Sequence, residues 1–123
     1  MNILHVVNGR PKPEASNGVL KSVFQLSLAQ SQLGHNVDVL SIRNKPAEQT
    51  EVIGPKFKIH LFERGNTRFL VDKNIKAYLK DNAKNIDIIH FHSGYHPEYW
   101  SLSKLVRMLN IPYILSPRGG YQK

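Results

Sequence analysis

Short apolar runs alternate along this chain with longer stretches in which apolar residues recur every three or four positions. The first run, Ile3 to Asn8, is β-branched and stopped by Gly9, which predicts a buried strand. Asn8 to Gly18 then turns polar, with Pro11, Pro13, Arg10 and Lys12, and is longer than a simple connection requires. From Asn17 or Gly18 a helix is predicted, with Val19, Val23, Leu26, Ala29 and Leu33 on one face and Gly34 as a left-handed cap at its end. Asn36 to Ile42 reads as a second strand, and Arg43 to Gly54 as an exposed excursion of low order. Lys56 to Phe62 alternates Phe57, Ile59 and Leu61 with Lys58 and His60, the pattern of a half-exposed strand towards a sheet edge. A second helix spans about Asp72 to Ala83, turning Ile75, Tyr78, Leu79 and Ala83 inward. The fourth strand, Ile86 to His92, is followed by Pro97 and a helix from Glu98 to Leu109 striped by Leu102, Leu105, Val106 and Leu109. Pro112 to Ser116 is the last strand, running into Pro117-Arg118-Gly119-Gly120.

Strands and helices in alternation predict an α/β fold, a Rossmann-like open parallel sheet with helices on both faces, because crossovers between parallel strands are right-handed. If the chain winds outward through its first three strands and returns beside the first, the order is 3-2-1-4-5, with the switch point between strands one and four. Ligands collect beyond the carboxyl ends of such strands. That geometry brings together three loops: Asn8 to Gly18, His92 to Pro97, and Ser116 to Gly120. Each carries glycine and a basic or imidazole group.

Composition narrows the picture. The 123 residues fit one domain, and no apolar run approaches the roughly 20 residues of a membrane span. The N-terminus has no basic leader before its apolar run, and with zero cysteines there are neither disulfides nor thiolate metal sites, so a cytoplasmic location is the expectation. Seventeen Lys and Arg against nine Asp and Glu give a net charge of +8, which favours anionic partners. Nucleic acid is not expected among them. Lys73, Lys76, Lys80 and Lys84 recur at helical spacing without interleaved aromatic rings, so they read as a solvated helix face.

The chemistry gathers in Asp87 to Pro97, where an Ile-rich strand ends in His90, His92 and His96. His90 and His92 are two apart on a strand and share one face, a spacing that can chelate a metal. A metal centre needs further ligands; His96 is within reach, but no carboxylate is fixed nearby except Glu98, and the expectation is no metal. His90 reads as a core histidine bonded to backbone, and His92, last on the strand, as the better ligand contact. Gly18 at the mouth of the first helix lets backbone N–H groups approach a phosphate, whereas a Gly-x-Gly-x-x-Gly fingerprint is absent. Tyr95 and His96 on one loop and Arg118 on another suit a polar or anionic substrate. The competing readings are a non-catalytic, flavodoxin-like domain binding a phosphate-bearing ligand, and a metal hydrolase centred on the histidines.

Asn17-Gly18-Val19, then Leu33-Gly34-His35-Asn36-Val37-Asp38-Val39, then Asp87-Ile-Ile-His-Phe-His, then Asn110-Ile-Pro-Tyr-Ile-Leu-Ser-Pro-Arg-Gly occur in that order. This succession resembles the N-terminal domain of the group 1, family 4 glycosyltransferases, which have the GT-B fold. The resemblance implies retaining transfer of a sugar from a nucleotide diphosphate donor to an acceptor hydroxyl, with no cofactor and no required metal. It implies donor contacts at Asn17, Gly18 and His92, with His92 the one catalytic candidate, and acceptor contacts at Tyr95, His96 and Arg118; His35 looks structural. Asn17 stands where the family commonly has a first glycine. The family's Glu-x7-Glu motif, carried by a second nucleotide-binding domain, has no counterpart here, since no two glutamates lie eight positions apart. Residues 1–123 are therefore expected to be a partial N-terminal domain, inactive alone, with the C-terminal domain as its missing partner. The expected acceptor is a sugar, lipid-linked or phosphorylated, with peripheral membrane contact through the basic surface.

Overall fold

A computed structural model describes residues 1–15, 17–43, 49–63, 72–92 and 97–116. In chain order the elements are β1 (Asn2–Asn8), α1 (Gly18–Gln32), β2 (Asn36–Arg43), β3 (Gln49–Gly54), β4 (Phe57–Glu63), α2 (Lys73–Asn82), β5 (Ile88–His92), α3 (Pro97–Met108) and β6 (Tyr113–Ser116), with a short 3-10 turn at Ala83–Asn85. They form one six-stranded sheet in the order β3-β4-β2-β1-β5-β6. All neighbours are parallel except β3 and β4. The expected order, 3-2-1-4-5, corresponds to the run β4-β2-β1-β5-β6, to which β3 is added beyond β4, and β1 and β5 flank the switch point.

Two corrections fall at the far edge. Residues 49–54 are not an excursion of low order but the strand β3, antiparallel to β4 with Thr50 opposite His60 and Glu51 opposite Ile59. Consequently β4 is an interior strand rather than an edge one. Side chains hold the added strand in place: Thr50 Oγ1 donates to His60 Nδ1 at 3.0 Å, and His60 Nε2 donates to Asp38 Oδ1 on β2 at 2.8 Å. The remaining half of the excursion, residues 44–48, lies outside the described residues.

Strand alternation sorts the core into two layers. Leu4, Val6, Leu40, Ile42, Ile89 and Phe91 point towards α2 and α3, where Ile75, Leu79, Leu102 and Val106 meet them. Val7, Val39, Phe57, Ile59 and Leu61 point towards Val23 and Phe24 of α1. Full burial of each of these side chains contributes roughly 1.5–3 kcal/mol, so the sheet is held from both sides. Lys73, Lys76, Lys80 and Lys84 are all exposed, as the amphipathic spacing of α2 predicts.

The inner line of α1 departs from expectation. Ala29 is exposed and Leu33 is 79% exposed, whereas Val23, Phe24 and Ser27 are buried. The apolar stripe is rotated because a polar residue, Gln30, is needed on the inner side, for a reason that the site makes plain. The end of α1 is as predicted. Gly34 takes φ +102°, His35 N–H donates to the Gln30 carbonyl at 3.2 Å and Gly34 N–H to that of Ser31 at 3.1 Å, the two bonds of a Schellman cap. The chain repeats this device after α3 with Asn110 at φ 59°, where Ile111 N–H donates to the Val106 carbonyl at 3.1 Å. Among the described residues no helix is long and apolar enough to cross a membrane.

Candidate functional site at the carboxyl ends of the strands

Gly9 ends β1 and opens the first loop. Its φ is +101°, its N–H donates to the Ile42 carbonyl at 2.9 Å, and its carbonyl accepts from Ser41 Oγ. An added Cβ there would lie 2.9 Å from Leu20 Cδ1. Glycine is required at this point by backbone and by space. Arg10 next to it is not an open cation: Nε and an Nη of its guanidinium donate to the two Glu51 oxygens at 2.9 and 2.7 Å. That two-point bond, more than the attraction between the charges, holds the guanidinium above its ordinary value. The strand that the sequence reading missed therefore occupies one of the loop's two basic groups.

At the start of α1, Asn17 is the N-cap. Its Oδ1 accepts from Val19 N–H at 2.8 Å and Leu20 N–H at 3.3 Å, satisfying donors that a helix otherwise leaves open. These are donors that a phosphate would also seek. Gly18 is in ordinary helical conformation, and an added Cβ would meet no atom of the described residues within 4 Å. Neither packing nor backbone strain demands glycine here, unlike at Gly9. Among the described residues, space stands open beside the helix mouth. Asn17→Gly is expected to lower stability by only a few tenths of a kcal/mol, since glycine is a competent cap. It should strengthen pyrophosphate binding by uncovering Val19 and Leu20 N–H, as isothermal titration would read.

The histidines form one cluster, and its third member is not His96. His5 on β1, 0% exposed, lies opposite His90 of β5 in parallel register and on the same sheet face as His90 and His92. The His90 and His92 rings stack with centroids 3.9 Å apart and planes at 24°. His5 Nδ1 is 2.8 Å from His92 Nε2, and His5 Nε2 is 2.7 Å from Gln30 Oε1. His90, half-buried, bonds through Nε2 to Ser116 Oγ on β6 at 2.6 Å. The expectation for His90 is a backbone partner; this bond runs to a side chain on the neighbouring strand. One ring nitrogen from each of His5, His90 and His92 falls within 4.8 Å of the others. In the present arrangement, however, His5 and His92 turn a lone pair and an N–H on each other, and His90 stacks on His92. Lone pairs so used do not converge on a common point.

His92 is itself 0% exposed, so a ligand reaches its ring only when whatever covers it shifts. Tyr95, His96 and Arg118 lie outside the described residues. A cavity of about 180 Å³ opens elsewhere, at the amino ends of β1 and β2, lined by Asn2, Asn36, Asp38 and Tyr78 among others. It is smaller than the roughly 300–1,000 Å³ of ligand pockets. Burial, with the Asp38 carboxylate adding to it, pushes the Tyr78 phenol upward and keeps it neutral. That cavity is no rival to the carboxyl-end loops.

The sequence profile described as Glycosyltransferase Family 4 matches residues 16–123. The chain belongs to this family. The match takes in Asn17, Gly18, β5 with its histidines and everything after them. No curated protein matches the chain in sequence. Among solved structures, sucrose-phosphate synthase from Thermosynechococcus elongatus is similar at a TM-score of 0.61 and 15% identity, over 94% of this chain and 32% of that one. The C-terminal domain of a hydrogenase from Pyrococcus furiosus is similar at a TM-score of 0.50 and 14% identity, over 94% of this chain and 90% of that one. At such identities the likeness is one of fold. This family 4 chain therefore has a Rossmann-like domain corresponding to one half of a GT-B architecture, and it spans about a third of the length of the synthase.

Proposed function

We propose that this family 4 chain supplies the acceptor side, and part of the donor cleft, of a retaining glycosyltransferase. A sugar passes from a nucleotide diphosphate to an acceptor hydroxyl: the bond between the anomeric carbon and the diphosphate oxygen breaks with its electron pair on the departing nucleoside diphosphate, a bond to the acceptor oxygen forms, and the hydroxyl proton passes to that diphosphate. The family match across residues 16–123 carries this reading. The open space beside Gly18 at the N-terminus of α1 supports it, because a diphosphate there meets backbone N–H groups and the positive end of the helix dipole. His92 is assigned to the donor sugar, and Tyr95, His96 and Arg118 to the acceptor. No metal or cofactor is required. The net charge of +8 favours an acceptor that is phosphorylated or lipid-linked at an anionic membrane surface on the cytoplasmic side.

Transfer requires a second, nucleotide-binding domain that faces these loops. The chain's coverage of only 32% of the synthase supports this requirement. Incubated with radiolabelled UDP-glucose or GDP-mannose and a membrane extract as acceptor source, residues 1–123 alone should give no labelled product. Joined to a family 4 C-terminal domain they should give product, and His92→Ala should remove it. Robust transfer by the 123 residues alone would contradict the need for a second domain. A joined protein that binds nucleotide sugars but never transfers would favour the alternative, a non-catalytic flavodoxin-like binding domain. The hydrogenase domain, nearly matched in length, shows only that this fold also occurs as a domain of this size.

A further inference from the structure

Gln30 has no place in a helix that merely packs on a sheet. It takes the inner side of α1, one turn after the buried Ser27, and reaches His5 in the sheet below. An amide oxygen has lone pairs and no hydrogen, so the 2.7 Å contact from Gln30 Oε1 requires His5 to carry its hydrogen on Nε2. In a neutral imidazole the other nitrogen is then an acceptor. The 2.8 Å contact between His5 Nδ1 and His92 Nε2 accordingly requires His92 to carry its hydrogen on Nε2 as well. One amide thus determines two tautomers in succession. Stacking on His90, which Ser116 holds in turn, fixes the plane of the ring whose hydrogen is so placed.

We infer that Gln30, acting through His5, is a positioning residue that locks His92 in its Nε2–H tautomer, so that His92 meets the donor as a hydrogen-bond acceptor through Nδ1. The inference rests on the assignment of His92 to the donor sugar. An acceptor nitrogen receives a bond from a sugar hydroxyl and repels the oxygens of a phosphate, so the lock selects which part of the donor settles against the strand end. The opposite tautomer would do the reverse. This is a role that a shape-filling side chain at position 5 or 30 does not supply.

The test reads tautomers directly. Residues 1–123, labelled with ¹⁵N, are examined at about pH 8, above the ordinary imidazole range, by two-bond ¹H–¹⁵N correlation of the histidine rings. The wild-type chain should show a single His92 tautomer with unprotonated Nδ1. Gln30→Met, which fills similar space without an acceptor, should turn His92 into a mixture of the two tautomers. Protonated Nδ1 on His92 in the wild type, or an unaltered single tautomer in a folded Gln30→Met variant, would overturn the lock. Should Gln30→Met fail to fold, the wild type still decides, because Nδ1–H on His92 there overturns the lock. Addition of millimolar UDP-glucose and of GDP-mannose to residues 1–123 joined to a family 4 C-terminal domain then separates the two claims. A shift of the His92 Nδ1 resonance supports the donor-facing role, whereas a locked tautomer that neither nucleotide sugar moves overturns the donor assignment of His92 and leaves the lock intact.

Discussion

Replacing His5 with alanine is expected to remove about 3–5 kcal/mol of folding stability, read as a lower urea midpoint with an unchanged slope. Two terms add. His5 is 0% exposed in the central strand, so the truncation leaves a cavity that a sheet can close only in part. It also strips Gln30 Oε1 and His92 Nε2 of the partners they have at 2.7 and 2.8 Å, and an unsatisfied buried polar group costs roughly 1–3 kcal/mol. Set against total stabilities of about 5–15 kcal/mol for single domains, the variant should be close to unfolding at room temperature. His90→Ala makes an internal control: His90 is only half-buried and its strand partner is the last of the sheet, so its loss should be distinctly smaller. Equal losses for the two would mean that the Gln30–His5–His92 chain contributes nothing beyond volume.

Gly18→Ala should behave in the opposite manner, sparing the fold and harming the ligand. The position is helical and open, and alanine is the better helix former by up to about 1 kcal/mol, less at a terminus. Its thermal midpoint should therefore hold or rise. A donor diphosphate lying against the helix mouth would meet the new methyl group, and a tenfold loss in donor affinity, about 1.4 kcal/mol, is expected. Gly9→Ala offers the contrast within one loop, because there the methyl group strikes Leu20 and the backbone is left-handed; it should lose stability before it loses anything else. Donor affinity unchanged in Gly18→Ala would remove the diphosphate from that corner.

Much of the architecture was legible because apolar run length and helical spacing answer to burial, and burial is what the sheet imposes. β1, β2, β4, β5 and β6 each fall within a residue or two of the predicted spans. β3 escaped because its side chains give little apolar signal: Val52 is 68% exposed and Ile53 40%. Its hold on the sheet comes from backbone pairing with β4 and from Thr50 and Glu51, contacts that exist only once β4 is in place. A Gly54-Pro55 turn between two alternating segments was the available sign of a hairpin. Periodicity also misplaced the face of α1, since it scores Gln30 as outward and Leu33 as inward, when the partner of Gln30 is a histidine 25 positions earlier.

His5 was the residue of the site that sequence reading passed over. Alone in Ile-Leu-His-Val-Val it carries no mark of function. The clue lay in parity and order together: strands one and four were predicted as neighbours, and residues 5, 90 and 92 then fall on one face. The predicted donor residues divide by what surrounds them. Gly18 lies beside open space, Asn17 is spent on its own helix cap, and His92 is enclosed and bonded to His5.

The most direct measurement of the central claim is where a nucleotide sugar touches this chain. In a ¹H–¹⁵N titration of residues 1–123 joined to a family 4 C-terminal domain, with UDP-glucose and with GDP-mannose, the amides of Gly18, Val19 and Leu20 and the signals of His92 should move together and saturate, while Asn2, Asn36 and Tyr78 around the amino-end cavity stay still. Saturable shifts confined to that cavity, or none at either end up to millimolar ligand, would contradict the placement of the donor cleft at the carboxyl ends of the strands.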